Sequence, residues 1–246
     1  MIPKKIASLQ HPLVKHLVNL RNKKSYRQEQ KSVLISGKKM IEELGNKHLF
    51  KKIIIEEGYE TSSFRAEEVW IVTEEMLKKI TGVEHPEGIA AEMGIPKNAS
   101  LEGKNKILVL DGVSDPGNLG TLLRTALALN WDGIFITENS VDPFNDKALR
   151  AGKGATFEIP IVEGSWQELE TLMKKGNFTV VIADKEGSDI KNTKLIGPLM
   201  LVLGNETRGV SEKAKQSYTR VSIPMNPSME SLNVAIAGAI LMHELL

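Results

Sequence analysis

At 246 residues, with 41% hydrophobic and 26% charged side chains, the chain can form one large domain or a small and a medium one, and its composition excludes disorder. The absence of cysteine excludes disulfides, a thiol nucleophile and a thiolate-held metal. The five histidines, His11, His16, His48, His85 and His243, lack HExxH or comparable spacing, so no metal site is expected.

Total charge is nearly balanced, yet residues 1–52 hold 13 basic and 3 acidic side chains while the remainder holds 19 and 28. That split points the amino-terminal part toward a polyanion, with a merely solvated basic helix as the alternative. No run approaches the ~20 apolar residues of a membrane span, and the start lacks a secretory apolar core, so a cytoplasmic location is expected.

In chain order, "HPLVKHLVNLRNKKSYR" places Leu13, Leu17 and Leu20 on one stripe and predicts a single amphipathic helix with a basic outer surface. The strand-like "SVLISG", the helix "KKMIEELG", the strands "FKKIIIEE" and "VWIVT", a helix from Glu74 and the strand "GIAAEM" follow. Together they make an α/β module over residues 1–93. Residues 94–106, "GIPKNASLEGKNK", read as a linker.

Over residues 107–246, apolar strand candidates recur: "KILVLDG", "GIFITE", "FEIPIV", "FTVVIAD", "LMLVLGN" and "TRVSIPM". Helical patterns lie between several of them, including "SWQELETLMKKG" with Ser165 and Glu168 as a capping box and Gly176 as a stop. Continuous apolar strands alternating with helices predict a mostly parallel sheet covered on both faces, with ligands outside the carboxyl ends of its strands. The terminal helix, expected from about Met229 to Leu245, is apolar nearly all round, as if buried in the core or against a second subunit.

Three loops follow predicted strands: "DGVSDPGNLG", "LGNETRGV" and "IPMNPSMESLNVA". Neither GxGxxG nor GxxxxGK[ST] accompanies them, which disfavours a phosphate-bearing ligand and a nicotinamide-dependent oxidoreductase. Arg124 is the only charged residue between Asp115 and Asp132. On its helix Leu119, Leu122, Leu123, Ala126 and Leu127 form the apolar face, and Arg124 projects opposite among Gly120, Thr121 and Ala128. Small neighbours suggest that a ligand or another segment packs there; an arginine paired with a structural carboxylate is the alternative. Asn118, Ser231 and Asn233 also suit helix caps.

The three loops together resemble the SpoU (TrmH-type) RNA ribose methyltransferases of the SPOUT superfamily. "DGVSDPGNLGTLLRTALALNWDGIFI" is similar to motif 1, with Asn118 and Arg124 on the family's Asn and Arg. "LMLVLGNETRGV" is similar to motif 2 through Gly204, Asn205, Glu206 and Gly209. "VSIPMNPSMESLNVAIAGAI" is similar to motif 3 through Ile223, Pro224, Met225, Ser231, Leu232, Asn233 and Val234. "ALRAGKGATFEIPI" resembles the segment between motifs 1 and 2, and "LISGKKMIEEL" resembles the family's ribosomal-protein-like substrate-binding domain. Ser36 stands there in place of an acidic residue, and Ala235 replaces the second serine of motif 3.

The resemblance implies a SPOUT-type α/β catalytic domain with a carboxyl-terminal trefoil knot, a homodimer packed through that domain, and S-adenosylmethionine held around Leu203, Gly204, Ile223, Met225 and Leu232. It implies methyl transfer to a ribose 2'-hydroxyl of RNA, ribosomal rather than transfer RNA on the two-domain layout, with Arg124, Asn118, Glu206, Ser231 and Asn233 as catalytic residues. Within the family the arginine is proposed as the base. A guanidinium is almost never neutral, so fixed positive charge that stabilises the developing alkoxide is the preferred role. RNA contacts are expected from Arg21, Lys23, Lys24, Arg27 and Lys38. A non-catalytic RNA-binding protein that kept the fold is the competing reading.

Overall fold

The computed structural model describes residues 2–59, 64–96, 99–193 and 195–246, apart from the side chains of Glu212 and Lys213. The chain divides into two compact units, Met1–Pro96 with Phe144–Gly154, and Lys97–Pro143 with Ala155–Leu246. Residues 97 and 98 of the expected linker lie outside the described residues.

The first unit runs β1 (Lys4–Lys5), α1 (Pro12–Asn22), α2 (Lys24–Gln30), β2 (Ser32–Ser36), α3 (Lys38–Gly45), β3 (Phe50–Glu56), β4 (Ala66–Val72), α4 (Glu74–Thr81) and β5 (Ile89–Gly94). Its sheet has the order β1-β4-β3-β5-β2, with β5 antiparallel to both neighbours and the remaining pairs parallel. Leu13, Leu17 and Leu20 bury the expected stripe against Leu34, Ile54, Leu77 and Ile80.

The basic segment is two helices rather than one. Lys23 is extended (φ −122°, ψ 114°), and Arg27 turns back to donate to the carbonyls of Leu20 and Arg21 at 2.8 and 3.0 Å. Its side chain thereby satisfies the end of α1 that a continued helix would have satisfied.

The second unit contains β6 (Lys106–Asp111), α5 (Pro116–Ala128) and β7 (Gly133–Thr137); the chain then forms α6 (Asp146–Gly152), which packs with β2 in the first unit. There follow β8 (Ile161–Gly164), α7 (Trp166–Lys175), β9 (Thr179–Asp189), β10 (Leu199–Gly204), α8 (Glu212–Ser217), β11 (Thr219–Ser222) and α9 (Val234–Glu244). All pairs of this six-stranded sheet, ordered β11-β9-β10-β6-β7-β8, are parallel. Val109, Phe135, Ile182, Val202 and Leu169 bury one of its cores. The capping box of Ser165 and Glu168 forms at the start of α7.

Two expectations are corrected here. "FEIPIV" is not one strand: Ala155–Phe157 is a short 3-10 turn, and β8 begins at Ile161, after a proline that has no N–H for a ladder. The terminal helix starts at Val234 rather than near Met229, because Asn233 caps it by accepting from the amides of Ala235 and Ile236. Gly238 sets the helix close to its neighbours, since a Cβ there would lie 2.4 Å from Leu122 and 2.6 Å from Leu203.

Candidate active site

Beyond the carboxyl ends of β9, β10 and β11 lies a cavity of ≈ 700 Å³ within the second unit. Leu203 and Gly204 reach it from β10, Ile223 and Met225 from the segment after β11, and Leu232 from the approach to α9. All five expected cofactor residues therefore line one space. Its size falls within the range of small-molecule sites, roughly 300–1,000 Å³.

The polar rim is organised by Glu206. Its Oε2 accepts from the amide and hydroxyl of Ser114 at 3.2 and 2.9 Å, and its Oε1 from the amide of Asp115 at 3.2 Å and from Nδ2 of Asn118 at 3.1 Å. Burial would raise its pKa, but donated hydrogen bonds from backbone amides, Asn118 and Ser114 outweigh burial and hold it down to about 2. Glu206 is thus an anion at neutral pH. The loop that presents it is pinned by Asn205, which donates to Gly112 O at 2.8 Å and accepts from the amides of Thr207 and Arg208.

Asn118 is not a cap. Asp115 caps α5 by accepting from the Asn118 amide at 2.7 Å, which leaves the Asn118 side chain to join Glu206 to Asn233, whose Nδ2 donates to Asn118 Oδ1 at 2.9 Å. Asn233 therefore serves both as cap and as rim. Ser231 and Glu206 line the cavity beside it. Sequence reading missed Ser114 and Asp115, although Asp before Pro at a helix start is itself a cap signal.

Arg124 lies apart from this rim. It is exposed, does not line the cavity and has no hydrogen-bond or ion-pair partner among the described residues. The alternative of a structural carboxylate is not met among the described residues, and the cavity described above is not the crevice that Arg124 faces. Thr121 and Ala128 beside it are exposed, and Leu127, expected on the buried face, is 36% exposed.

In the first unit Lys23, Lys24 and Lys38 are exposed. Lys38 also lies over the Tyr59 ring, 5.9 Å from its centroid. Arg27 is only 3% exposed and bound to the carbonyls of α1, so its expected RNA contact is withdrawn. Arg21 is half-buried, and it donates to Lys79 O and Ile80 O at the end of α4. The two arginines hold helices together, whereas the lysines present charge.

The model of the SpoU rRNA Methylase family matches residues 105–243. The chain belongs to the SpoU rRNA methylase family. The model of an MRM3-like substrate binding domain matches residues 11–91. Among relatives of this SpoU chain is the 23S rRNA (guanosine(2553)-2'-O)-methyltransferase RlmP of Bacillus subtilis, 31% identical, the alignment covering 98% of this chain and 99% of that protein. The 23S rRNA (guanosine-2'-O-)-methyltransferase RlmB of Ralstonia nicotianae is also 31% identical, over 69% of this chain and 73% of that one. The AdoMet-bound rRNA methyltransferase from Sinorhizobium meliloti superposes with a TM-score of 0.86 at 27% identity, covering 98% of this SpoU chain and 96% of that one.

Proposed function

We propose that this SpoU chain transfers a methyl group from S-adenosylmethionine to a ribose 2'-hydroxyl in ribosomal RNA. The observation that carries the reading is the joining of all three motif loops, through Glu206, Asn118 and Asn233, at the rim of one cavity. The relatives' shared chemistry, 2'-O-methylation of 23S rRNA, supports ribosomal rather than transfer RNA.

The cavity suits the cofactor. Leu203, Ile223, Leu232 and Leu241 offer apolar walls for a purine, and Asp184, which also lines the cavity, has a buried oxygen, Oδ2, that accepts no hydrogen bond among the described residues. When bound, S-adenosylmethionine supplies an electrophilic methyl group. The protein's task is to orient the hydroxyl and ease loss of its proton. Asn118, held in one orientation, and Ser231 at the rim are placed to position the ribose. Arg124 stabilises the alkoxide as it develops and holds an adjacent phosphate.

Because Arg124 stands outside its own cavity, a second copy completes the site. The homodimer we propose packs through α5 and α9, where Leu127 and Ile236 are 36% and 52% exposed, and it brings Arg124 into the interface. We also read the carboxyl-terminal segment as a trefoil knot. Supporting this, α9 returns from edge strand β11 to pack on α5, on β10 and on the turn Ile190–Asn192 that follows β9.

Residues 1–93 bind the RNA and residues 107–246 carry the chemistry, with 94–106 between them. No helix among the described residues is long and apolar enough to cross a membrane. A ribosomal substrate places the enzyme in the cytoplasm.

Incubation with labelled S-adenosylmethionine and total unmodified RNA, followed by mapping of ribose-methylated positions, tests the function. Methylation at a discrete ribosomal position is the expected result. Failure to label any RNA would leave the non-catalytic binding protein as the better reading.

A further inference from the structure

Among the described residues that line the cavity, Asp184 carries a buried carboxylate oxygen without a hydrogen-bond donor. It belongs to the stretch of β9 past Ile182, the last residue paired with β10. There β11 also shifts register, pairing Arg220 with Ile182 and Val221 with Ser188. The residues between escape the ladder, and Asp184 folds inward to line the cavity with its side chain only 7% exposed. Its Oδ1 accepts from the Glu186 amide at 2.9 Å. Its Oδ2 is buried and accepts no hydrogen bond among the described residues, although Lys215 Nζ stands 3.5 Å away and Arg220 at 4.0 Å.

An unmet buried acceptor is costly, and native proteins leave few of them. One that faces a ligand cavity points to a donor on the ligand. The flanking charges select the kind of donor. Lys215 at 3.5 Å and Arg220 at 4.0 Å, the latter also paired with Glu186 at 3.4 Å, already answer the charge of the carboxylate, so the missing partner need not be a cation and a neutral hydroxyl donor suffices. A purine ring is better served by the apolar side chains of Leu203, Ile223 and Leu232 that also line the cavity than by a carboxylate flanked by two cations.

We infer that Asp184 accepts a hydrogen bond from a ribose hydroxyl of the nucleoside cofactor and so fixes the turn of the bound molecule. The assignment rests on reading the cavity as the S-adenosylmethionine site. Asp184 is a binding residue here, with Lys215 and Arg220 flanking it.

Calorimetry with S-adenosylhomocysteine, its 2'-deoxy and 3'-deoxy analogues and 5'-methylthioadenosine tests this without any turnover. For the unaltered protein, loss of one hydroxyl should weaken binding by about tenfold or more, the size of a hydrogen bond to a charged group. Asp184→Ala should weaken S-adenosylhomocysteine and 5'-methylthioadenosine by a similar factor and erase the preference for the hydroxyl. Asp184→Asn, nearly isosteric, checks by its melting temperature that the fold persists. Equal binding of both deoxy analogues to the unaltered protein overturns the inference whether or not any variant folds. So does an Asp184→Ala variant that keeps the preference, or one that loses affinity for S-adenosylhomocysteine but not for 5'-methylthioadenosine, which would place the contact on the amino-acid tail. If the unaltered protein binds none of these nucleosides, the cofactor reading itself falls, and this assignment with it.

Discussion

Asn233 donates from Nδ2 to Oδ1 of Asn118 at 2.9 Å, across 115 positions of sequence. The direction of this bond is forced from both ends. Glu206, an anion, can only accept, so Asn118 must turn its amide nitrogen toward it. Two backbone amides at the start of α9 can only donate, so Asn233 must turn its oxygen toward them. The remaining oxygen of Asn118 and nitrogen of Asn233 then face each other. One chain of bonds fixes the rotamers of both amides and ties the starts of α5 and α9 to the loop after β10.

Removal of the middle link should uncouple the segment before α9 from the other two loops, which Ser114 and Asp115 still tie to Glu206, while leaving the helices capped by Asp115 and Asn233. Asn118→Ala is expected to lower methyl transfer roughly 10–100-fold, the loss of a hydrogen bond to a charged group together with the order it imposes. Single-turnover rates and melting temperatures measured side by side check this. A variant with unchanged rate would show that the network serves stability alone.

Arg124 has no partner to lose among the described residues, so Arg124→Ala should leave stability within about 0.5 kcal/mol, as for other surface substitutions. Methyl transfer should fall by roughly 100-fold or more, the scale seen when one transition-state charge donor is deleted. Binding of S-adenosylhomocysteine, measured by calorimetry, should not change. Near-normal turnover would remove Arg124 from the mechanism.

The proposed dimer gives a separate test at Ile236. Placing a carboxylate on this exposed apolar position of α9 costs little in the monomer but desolvates a charge in an interface, so Ile236→Glu should weaken association by about 2 kcal/mol or more. Sedimentation velocity over a concentration series reads the shift. A protein that is already monomeric at micromolar concentration before substitution would refute the proposed arrangement.

Much of this architecture was legible because it rests on local patterns. The alternation of apolar strands with helices located the parallel sheet, and polar residues directly after strands located the rim. Two kinds of information were missing. A side chain that bends back on its own element, as Arg27 does on α1, looks in sequence like any other basic residue of a basic stretch. A buried polar pair drawn from distant elements, such as Glu92 of β5 with His16 of α1 and Lys52 of β3, leaves no periodic trace at all. Arg124 shows the converse. Its isolation among small residues is visible in sequence, but the proposed dimer interface that would account for it is encoded in no pattern of one chain.

The Glu92 cluster makes stability depend on acidity. Glu92 is 2% exposed and accepts from Lys52 at 2.7 Å and from His16 at 3.1 Å, while His16 meets the Tyr26 hydroxyl at 2.9 Å through its other nitrogen. Burial would raise its pKa, but His16 and Lys52 more than compensate and lower it from 4.5 to about 2. A lowered carboxylate pKa contributes stability that is fully present above the unfolded value and disappears as pH falls from about 4.5 through about 2. Glu92→Gln should therefore remove that acid dependence and cost about 1–3 kcal/mol at neutral pH, since Lys52 is partly exposed and can recover some solvation. Hydrogen exchange of the β2 and β5 amides, followed against pH in both proteins, measures it; identical profiles would dismiss the pair as a determinant.

The basic amino-terminal helices separate exposed charge from charge that holds the fold together. Lys23 and Lys24 are exposed, so reversing both to Glu should weaken RNA binding and reduce the slope of log affinity against log salt by roughly 1–2, in proportion to the phosphates no longer neutralised. The fold should be unaffected. Arg27→Ala should do the opposite. It strips the carbonyls of Leu20 and Arg21 of a buried donor and lowers stability by about 2–3 kcal/mol, while the salt slope of the remaining folded protein stays as it was. Filter-binding titrations between low and physiological salt, paired with chemical denaturation, distinguish the two. A flattened salt slope in folded Arg27→Ala would mean that its guanidinium reaches RNA after all, and an unchanged slope in the lysine variant would move the RNA surface elsewhere.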